Sequence, residues 1–339
     1  MTSGEPDVPD PGTGASRPGS RVFVEAPARL HFGVLDLRGS LGRWFGGIGA
    51  AASAPTLLIS ACRADTLSAD GEDAVRAAEF GRRFLDYNGV RSGAHLHVHR
   101  ALPSHAGLGS GTQLALSVAR ALAELYDIRA DAPMLARAVG RARRSAIGTW
   151  TFAAGGLVVE GGRHRDRDEC GPLLARLSFP SDWRCVVAIP DAQPGISGTT
   201  EEEAFAHLPA PSERDVERVA HLVLMALLPA VADSDLPGFG AALTQIQEIT
   251  GRWFAAVQGS TFAPGPTEEL VRRMAEWGAF GVGQSSWGPT VYGIVEGDEA
   301  ARRLADRVQD ALQGAGRAHG GPFRDDGARV WRSDAPERM

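Results

Sequence analysis

Three glycines within five residues, Gly107, Gly109 and Gly111, lie in the run Pro103-Ser104-His105-Ala106-Gly107-Leu108-Gly109-Ser110-Gly111-Thr112-Gln113. His95–His99, alternating at period two, leads in as a strand, and Thr112–Tyr126, rich in Ala and Leu, leads out as a helix. A strand–loop–helix passage with bare backbone at its centre aims the free amides of the helix start outward. This is an anion site by geometry and by helix dipole. Ser110 and Thr112 add hydroxyls. The loop is not a Walker A sequence, because GxxxxGK(S/T) needs a lysine and the chain contains none.

A second constellation is Pro27-Ala28-Arg29-Leu30-His31-Phe32-Gly33-Val34-Leu35-Asp36. On a strand, Arg29 and His31 share one face with Gly33, while Leu30 and Phe32 turn to the core. An Arg and a His side by side form a wall for a phosphate or carboxylate. All 35 basic residues are arginine, so no lysine can serve as base or Schiff-base nucleophile, and bidentate guanidinium clamps take its place. Arg141 and Arg144, three apart in a helical pattern, form one such pair. Ile196–Glu201 supplies hydroxyls, amides and a carboxylate, although Thr200 with Glu203 equally describes a helix cap. The His95, His97, His99 row has metal-ligand spacing but reads first as surface or packing residues.

The residues PARLHFGVLD and PSHAGLGSGTQ resemble the first and second motifs of the GHMP kinase superfamily. Arg43–Gly49, Gly107–Gln113, Arg144–Gly148, Gly155-Gly156 and the string QSSWGPTVYG (Gln284–Gly293) resemble one branch of it, the β-ribofuranosylaminobenzene 5′-phosphate synthases. The likeness covers nearly all of the chain after its first 20 residues. It implies an α+β GHMP-kinase fold, with an N-terminal half like ribosomal protein S5 domain 2 and a ferredoxin-like C-terminal half. It also implies a reaction other than phosphoryl transfer. Phosphoribosyl pyrophosphate (PRPP) and an aromatic carboxylic acid are joined by a C–C bond at ribose C1, releasing pyrophosphate and carbon dioxide, with Mg²⁺ as cofactor.

Carried onto this chain, the resemblance gives Arg29, His31 and Asp36 as catalytic candidates. PRPP binding falls to His105, Gly107, Leu108, Gly109, Ser110, Gly111, Thr112, Gln113, Arg43, Ser145, Ser197, Gly198 and Thr199. The acceptor pocket falls to Trp44, Arg144, Gln284, Ser285, Ser286 and Trp287, and a metal contact to Glu201. The family's ordinary acceptor is 4-aminobenzoate, in methanopterin biosynthesis. The lysine-free, Arg/Ala-rich composition points instead to an actinobacterial source, and hence to an amino-pyrazole carboxylate of C-nucleoside antibiotic synthesis. The alternatives are a 4-aminobenzoate-specific synthase of methanopterin biosynthesis and an ATP-dependent small-molecule kinase of the same fold. Phe152-Ala153-Ala154 stands where a more polar stretch is expected, which would alter the acceptor pocket.

The elements that must hold these residues follow from patterning. Residues 1–20 are nearly all Pro, Gly, Ser, Thr and Asp and are expected to be a disordered tail. One GHMP domain is expected over 21–180 and a second over 181–339. Strands are expected from Arg21, at Thr56–Ala61, at Gly156–Val159, at Trp183–Ile189 and at Thr290–Val295. Helices are expected at Glu72–Asn88, Pro133–Ser145, Ser212–Ala232, Leu236–Val257, Thr267–Trp277 and Glu299–Gln313. A net charge of −6 argues against nucleic-acid binding. No apolar run is long enough to span a bilayer, and no secretory h-region opens the chain, so the expectation is cytoplasmic. Cys62, Cys170 and Cys185 are too scattered for zinc or a disulfide framework. A homodimer is the base-rate expectation.

Overall fold

The computed structural model describes residues 20–167, 169–192, 205 and 207–333. The first 19 residues of the expected tail therefore lie outside the described residues. The frame of the N-terminal half is the antiparallel pair β1 (Arg21–Asp36) and β2 (Arg43–Ala64). β2 is nearly four times the length of the strand expected at Thr56–Ala61. Its first part, RWFGGIGAAASAP, reads by composition as a turn, but it is paired to β1 on one side and to β5 (Leu157–Glu160) on the other. Pairing on both edges overrides weak β-propensity. Gly49 is required there, since a Cβ would stand 2.4 Å from the Ile147 side chain and from the Leu30 carbonyl.

β3 (Ser68–Gly71) and β4 (Gly93–Arg100) extend this sheet, with β6 (Arg163–His164) on β2 and β7 (Leu173–Leu177) on β5. Helices α1 (Ala74–Tyr87), α2 (Ser110–Leu125), α3 (Ala132–Ala138) and α4 (Ile147–Ala154) belong to this half, α2 and α4 packing on β1 and β2. The helix expected over Pro133–Ser145 ends at Ala138, because Gly140 takes a left-handed φ of 69°. Arg141 and Arg144 are thus on a loop rather than on one helical face.

The second sheet runs β11–β8–β10–β9, all antiparallel, from β8 (Trp183–Pro190), β9 (Gly281–Gln284), β10 (Val291–Glu296) and β11 (Gly316–Pro322). Its helices are α5 (Glu213–Leu222), continued through a π turn at Val223–Leu227 into α6 (Leu228–Ala232), then α7 (Leu236–Gln258), α8 (Pro266–Glu276) and α9 (Asp298–Leu312). The last strand, β12 (Arg329–Ser333), returns to pair with β1. The architecture is α+β, as the alternation of elements predicts.

One continuous core reaches from β1 into the C-terminal half, including Phe32, Phe239, Ile246 and Tyr292. Phe32 packs on Tyr292 of β10 at 4.8 Å between ring centroids. The register of β1 shifts between His31 and Gly33. The Phe32 carbonyl at that bulge accepts from the Gln247 side-chain amide at 2.5 Å, and Gln247 in turn accepts from the Gln284 amide at 2.9 Å. A polar residue on α7 therefore ties the bulge to β9.

Candidate active site

The glycine loop of residues 103–113 and the turn of residues 285–290, far apart in sequence, are built against each other. Thr290 N–H donates to the Ala106 carbonyl (3.2 Å), and Ser285 Oγ donates to the Gly107 carbonyl (2.7 Å) while accepting from His31 N–H (3.0 Å). β1 closes the third side: Arg29 N–H donates to the Leu108 carbonyl (3.0 Å), and its guanidinium to the Gly107 carbonyl (3.1 Å). The approach is so close that a Cβ on Gly107 would lie 2.1 Å from the Ser285 carbonyl oxygen, and one on Gly288 would lie 2.0 Å from the Ala106 carbonyl carbon. Gly107 (φ 87°) and Gly109 (φ 74°) are left-handed, a conformation that costs other residues about 1–2 kcal/mol. Gly109 caps α2, so the amides of Ser110 and Gly111 have no intrahelical acceptor.

Those amides open into a cleft of about 320 Å³ lined by Arg29, Arg76, His105, Gly107, Gly109, Ser110, Gly111, Thr112, Arg141, Arg144, Ser286, Trp287 and Gly288. Among the described residues, four guanidiniums and no carboxylate line it. Arg76 is bound by Asp73, and the Arg141 guanidinium lies over Phe80 and against the bare Gly111 Cα. Beside the cleft is a smaller pocket of about 80 Å³ walled by Val34, Phe45, Phe205, Phe254 and Trp287, with His31 and Ser145 at its lining. Trp287 meets Phe254 at 4.7 Å and Phe205 at 5.7 Å in edge-on contacts. The two spaces share Arg29, Arg144, Ser286 and Trp287. An arginine-lined cleft thus opens onto an aromatic box across a wall carrying two cations.

Two buried titratable groups border this region. Burial, and then the neighbouring Arg29 guanidinium, hold the His31 imidazole down to about 3, so it is neutral at physiological pH. In the wall expected of Arg29 and His31, the positive charge is therefore carried by Arg29. Glu160, on β5, is pushed up to about 7 by burial, opposed by hydrogen bonds from Ala146 N–H (3.1 Å) and Gly162 N–H (2.7 Å) and by Arg43. It anchors the loop that presents Arg144 and Ser145.

The expected residues divide by position. Arg29, His105, Gly107, Gly109, Ser110, Gly111, Thr112, Arg144, Ser145, Ser286 and Trp287 line the cleft or the box. Leu108 and Gln113 are fully buried, and the Gln113 amide donates to the Gly148 carbonyl, so neither side chain reaches the cleft. Ser285 and Gln284 are braces: the Gln284 side chain holds Ala263, Ser286 and Gly288. Asp36 accepts from the amides of Arg38 and Gly39 and forms the β1–β2 turn, outside both spaces. Arg43 donates to the Gly162 carbonyl at 2.9 Å, and Trp44 lies under the Arg165 guanidinium at 4.1 Å; neither lines the site. Phe152 is core. The histidine row is satisfied by hydroxyls and a carboxylate: His95 by Ser68, His97 by Asp70 and His99 by Ser60.

Ser197, Gly198, Thr199 and Glu201 lie outside the described residues. Sequence reasoning missed the aromatic box of Phe45, Phe205 and Phe254, and also Arg76. The four-residue spacing of Phe254 and Gln258 along a helix was the one local signal for the box. Among the described residues no group of three His, Cys, Asp or Glu converges and no carboxylate lines the cleft, while Glu201, the expected Mg²⁺ contact, lies outside them. No step is derived through a metal.

The chain matches the GHMP kinases N terminal domain over residues 73–154 and the GHMP kinases C terminal domain over residues 227–314. Solved structures agree on the fold. A mevalonate kinase superposes with a TM-score of 0.66 at 13% identity, covering 90% of this chain and 99% of that one. Homoserine kinase from Cytophaga hutchinsonii gives 0.64 at 17% identity, covering 93% and 98%. This is the GHMP-kinase fold. β-Ribofuranosylphenol 5′-phosphate synthase from Methanothermobacter thermautotrophicus is 34% identical over 319 residues, 87% of this chain and 94% of the relative. Its counterpart from Archaeoglobus fulgidus is 37% identical over 287 residues, 80% and 87%. The chain belongs to the β-ribofuranosylphenol 5′-phosphate synthase family. The relatives' name puts a phenol where the resemblance implied an aminobenzene.

Proposed function

We propose that the chain joins ribose C1 of PRPP to the carboxylate-bearing carbon of a benzenoid acid such as 4-hydroxybenzoate, giving a β-C-riboside 5′-phosphate, pyrophosphate and carbon dioxide. The observation that carries the reading is the shared wall: an arginine-lined cleft at a helix start opens directly onto an aromatic box. A diphosphate suits the first and a flat ring the second. The relatives' name favours a phenolic acceptor over the amino-pyrazole that composition alone suggests.

The chemistry needs little acid–base machinery. As the C1–O bond to pyrophosphate breaks, negative charge grows on the leaving group. The Ser110 and Gly111 amides with Arg29 and Arg141 stabilise it, as preorganised donors do for any developing anion. The ring attacks the oxocarbenium-like C1 from the opposite face. Arg144, on the shared wall, holds the acceptor carboxylate, and Trp287 packs on the ring. The C–CO₂ bond then breaks and its electron pair restores aromaticity. Holding donor and acceptor in register is itself worth several kcal/mol of barrier.

Incubation with PRPP, Mg²⁺ and 4-hydroxybenzoate should release pyrophosphate and carbon dioxide in equal amounts. Release with an amino-pyrazole carboxylate and none with benzoates would move the acceptor class. ADP formation from ATP, with no pyrophosphate from PRPP, would overturn the reading.

A further inference from the structure

The His31 imidazole has no part in the scheme so far, yet among the described residues it is the one histidine or carboxyl side chain lining the acceptor end. Only 8% of the residue is exposed. It lines the aromatic box and also the small adjoining cavity bounded by Gln247, Thr250, Phe254 and Gln284. Its backbone N–H is taken by Ser285, but no hydrogen bond among the described residues engages its ring. His31 has no ring nitrogen among the sealed, unpartnered side-chain atoms, so the ring opens into the pocket that it lines and is available to a ligand there. The charged groups sharing that pocket are Arg29 and Arg144. They attract the acceptor carboxylate, and an imidazole held neutral does not compete for it. The carboxylate end therefore faces the diphosphate cleft, leaving the opposite, para position of the ring to His31.

We propose that His31 reads the para-hydroxyl of the acceptor and takes its proton during C–C bond formation. This rests on the C-riboside synthase reading and adds a proton relay to it. When the ring carbon attacks C1, a lone pair on the hydroxyl oxygen is pushed into the ring, and the pyrophosphate leaves with the C1–O pair. The resulting oxygen-protonated dienone is a far stronger acid than imidazolium, so the O–H proton passes to His31 despite its weak basicity. When the C–CO₂ bond breaks, its pair rearomatises the ring, the oxygen becomes phenolate, and the proton returns from His31. No net proton and no co-reactant are required. The same geometry accepts an amino N–H, and it penalises an acceptor without a para donor.

The test compares wild type, His31→Phe and His31→Gln with PRPP and 4-hydroxybenzoate, 4-aminobenzoate or 4-methoxybenzoate. The wild type should use the hydroxy acid and discriminate strongly against the methoxy acid, which has no proton to pass. His31→Phe, which keeps the ring volume, should lose about 10²- to 10⁴-fold in kcat, with KM for PRPP unchanged and a cooperative melt. His31→Gln, still a hydrogen-bond acceptor, should recover part of the loss. Near-wild-type kcat in His31→Phe, or a wild type indifferent to hydroxy against methoxy, would overturn the role of His31 alone. Failure of the wild type on every benzoate would instead strike the underlying reading.

Discussion

The substitution Gly288→Ala isolates what the close approach of the two motifs is for. An alanine Cβ there would stand 2.0 Å from the Ala106 carbonyl carbon and 2.1 Å from the Gly107 nitrogen, both backbone atoms with no rotamer to yield. Real Cβ contacts do not fall below 3.0 Å, so the two segments must separate by roughly the difference, 3.0 − 2.0, about 1 Å. That gap stretches the Thr290–Ala106 and Ser285–Gly107 hydrogen bonds, each worth about 1 kcal/mol. Overpacking adds about 1–3 kcal/mol, and together these make a loss of about 3–5 kcal/mol. The functional cost should be larger, because about 1 Å of misplacement can cost some 10²-fold in rate. Denaturant unfolding and pyrophosphate release, measured on one preparation, would give both numbers. We expect a cooperative but less stable protein whose kcat/KM for PRPP falls about 100-fold. Unchanged stability together with unchanged kcat/KM would refute the idea that this contact sets the loop.

Four further outcomes follow from the same geometry. Ser285→Ala leaves the His31 N–H and the Gly107 carbonyl without their shared hydroxyl inside the fold, so denaturant titration should show a loss of about 1–3 kcal/mol for each orphaned group; a neutral result would remove Ser285 as the brace. Glu160 has a folded-state pKa raised from 4.5 to about 7. Its contribution to stability is complete below pH 4.5 and is lost as pH climbs through 7, about 3 kcal/mol at 1.36 kcal/mol per pKa unit. Melts from pH 4.5 to 8 should therefore fall more steeply for wild type than for Glu160→Gln, and parallel profiles would show that Glu160 does not titrate in this window. Arg29→Ala should cut kcat/KM for PRPP at least 100-fold, because it removes both a cleft cation and the Gly107 contact. Arg43→Ala should lower the melting temperature with little change in KM for PRPP, and the reverse pattern would return Arg43 to the site.

Why some of this was legible in sequence and some was not comes down to the range of the interactions. The glycine loop announced itself because its requirement is local: left-handed φ at Gly107 and Gly109, then a helix start. The strings of residues 27–36 and 284–293 were legible by resemblance, and the structure brings both against that loop. What each side chain does there was not. Gln113, Gln284 and Ser285 sit in site-bearing strings, yet they spend their polar atoms on the backbone of neighbouring segments. A string shared within a family does not separate such braces from residues that face a ligand. Arg43 and Asp36 misled for the same reason, since a guanidinium that holds a carbonyl and a carboxylate that closes a turn look in sequence like catalytic groups. Beyond Trp287 the aromatic box was barely legible, because Phe45, Phe205 and Phe254 come from three separated segments with no common period. Only folding gives them a shared space. His31 joins the two cases: its strand face could be read from alternation, but its neutrality could not, because that comes from the box closing over it and from Arg29 beside it. Burial leaves this position without the charge that would bind an anion, and in the scheme proposed above the neutral ring instead exchanges a proton with a phenol.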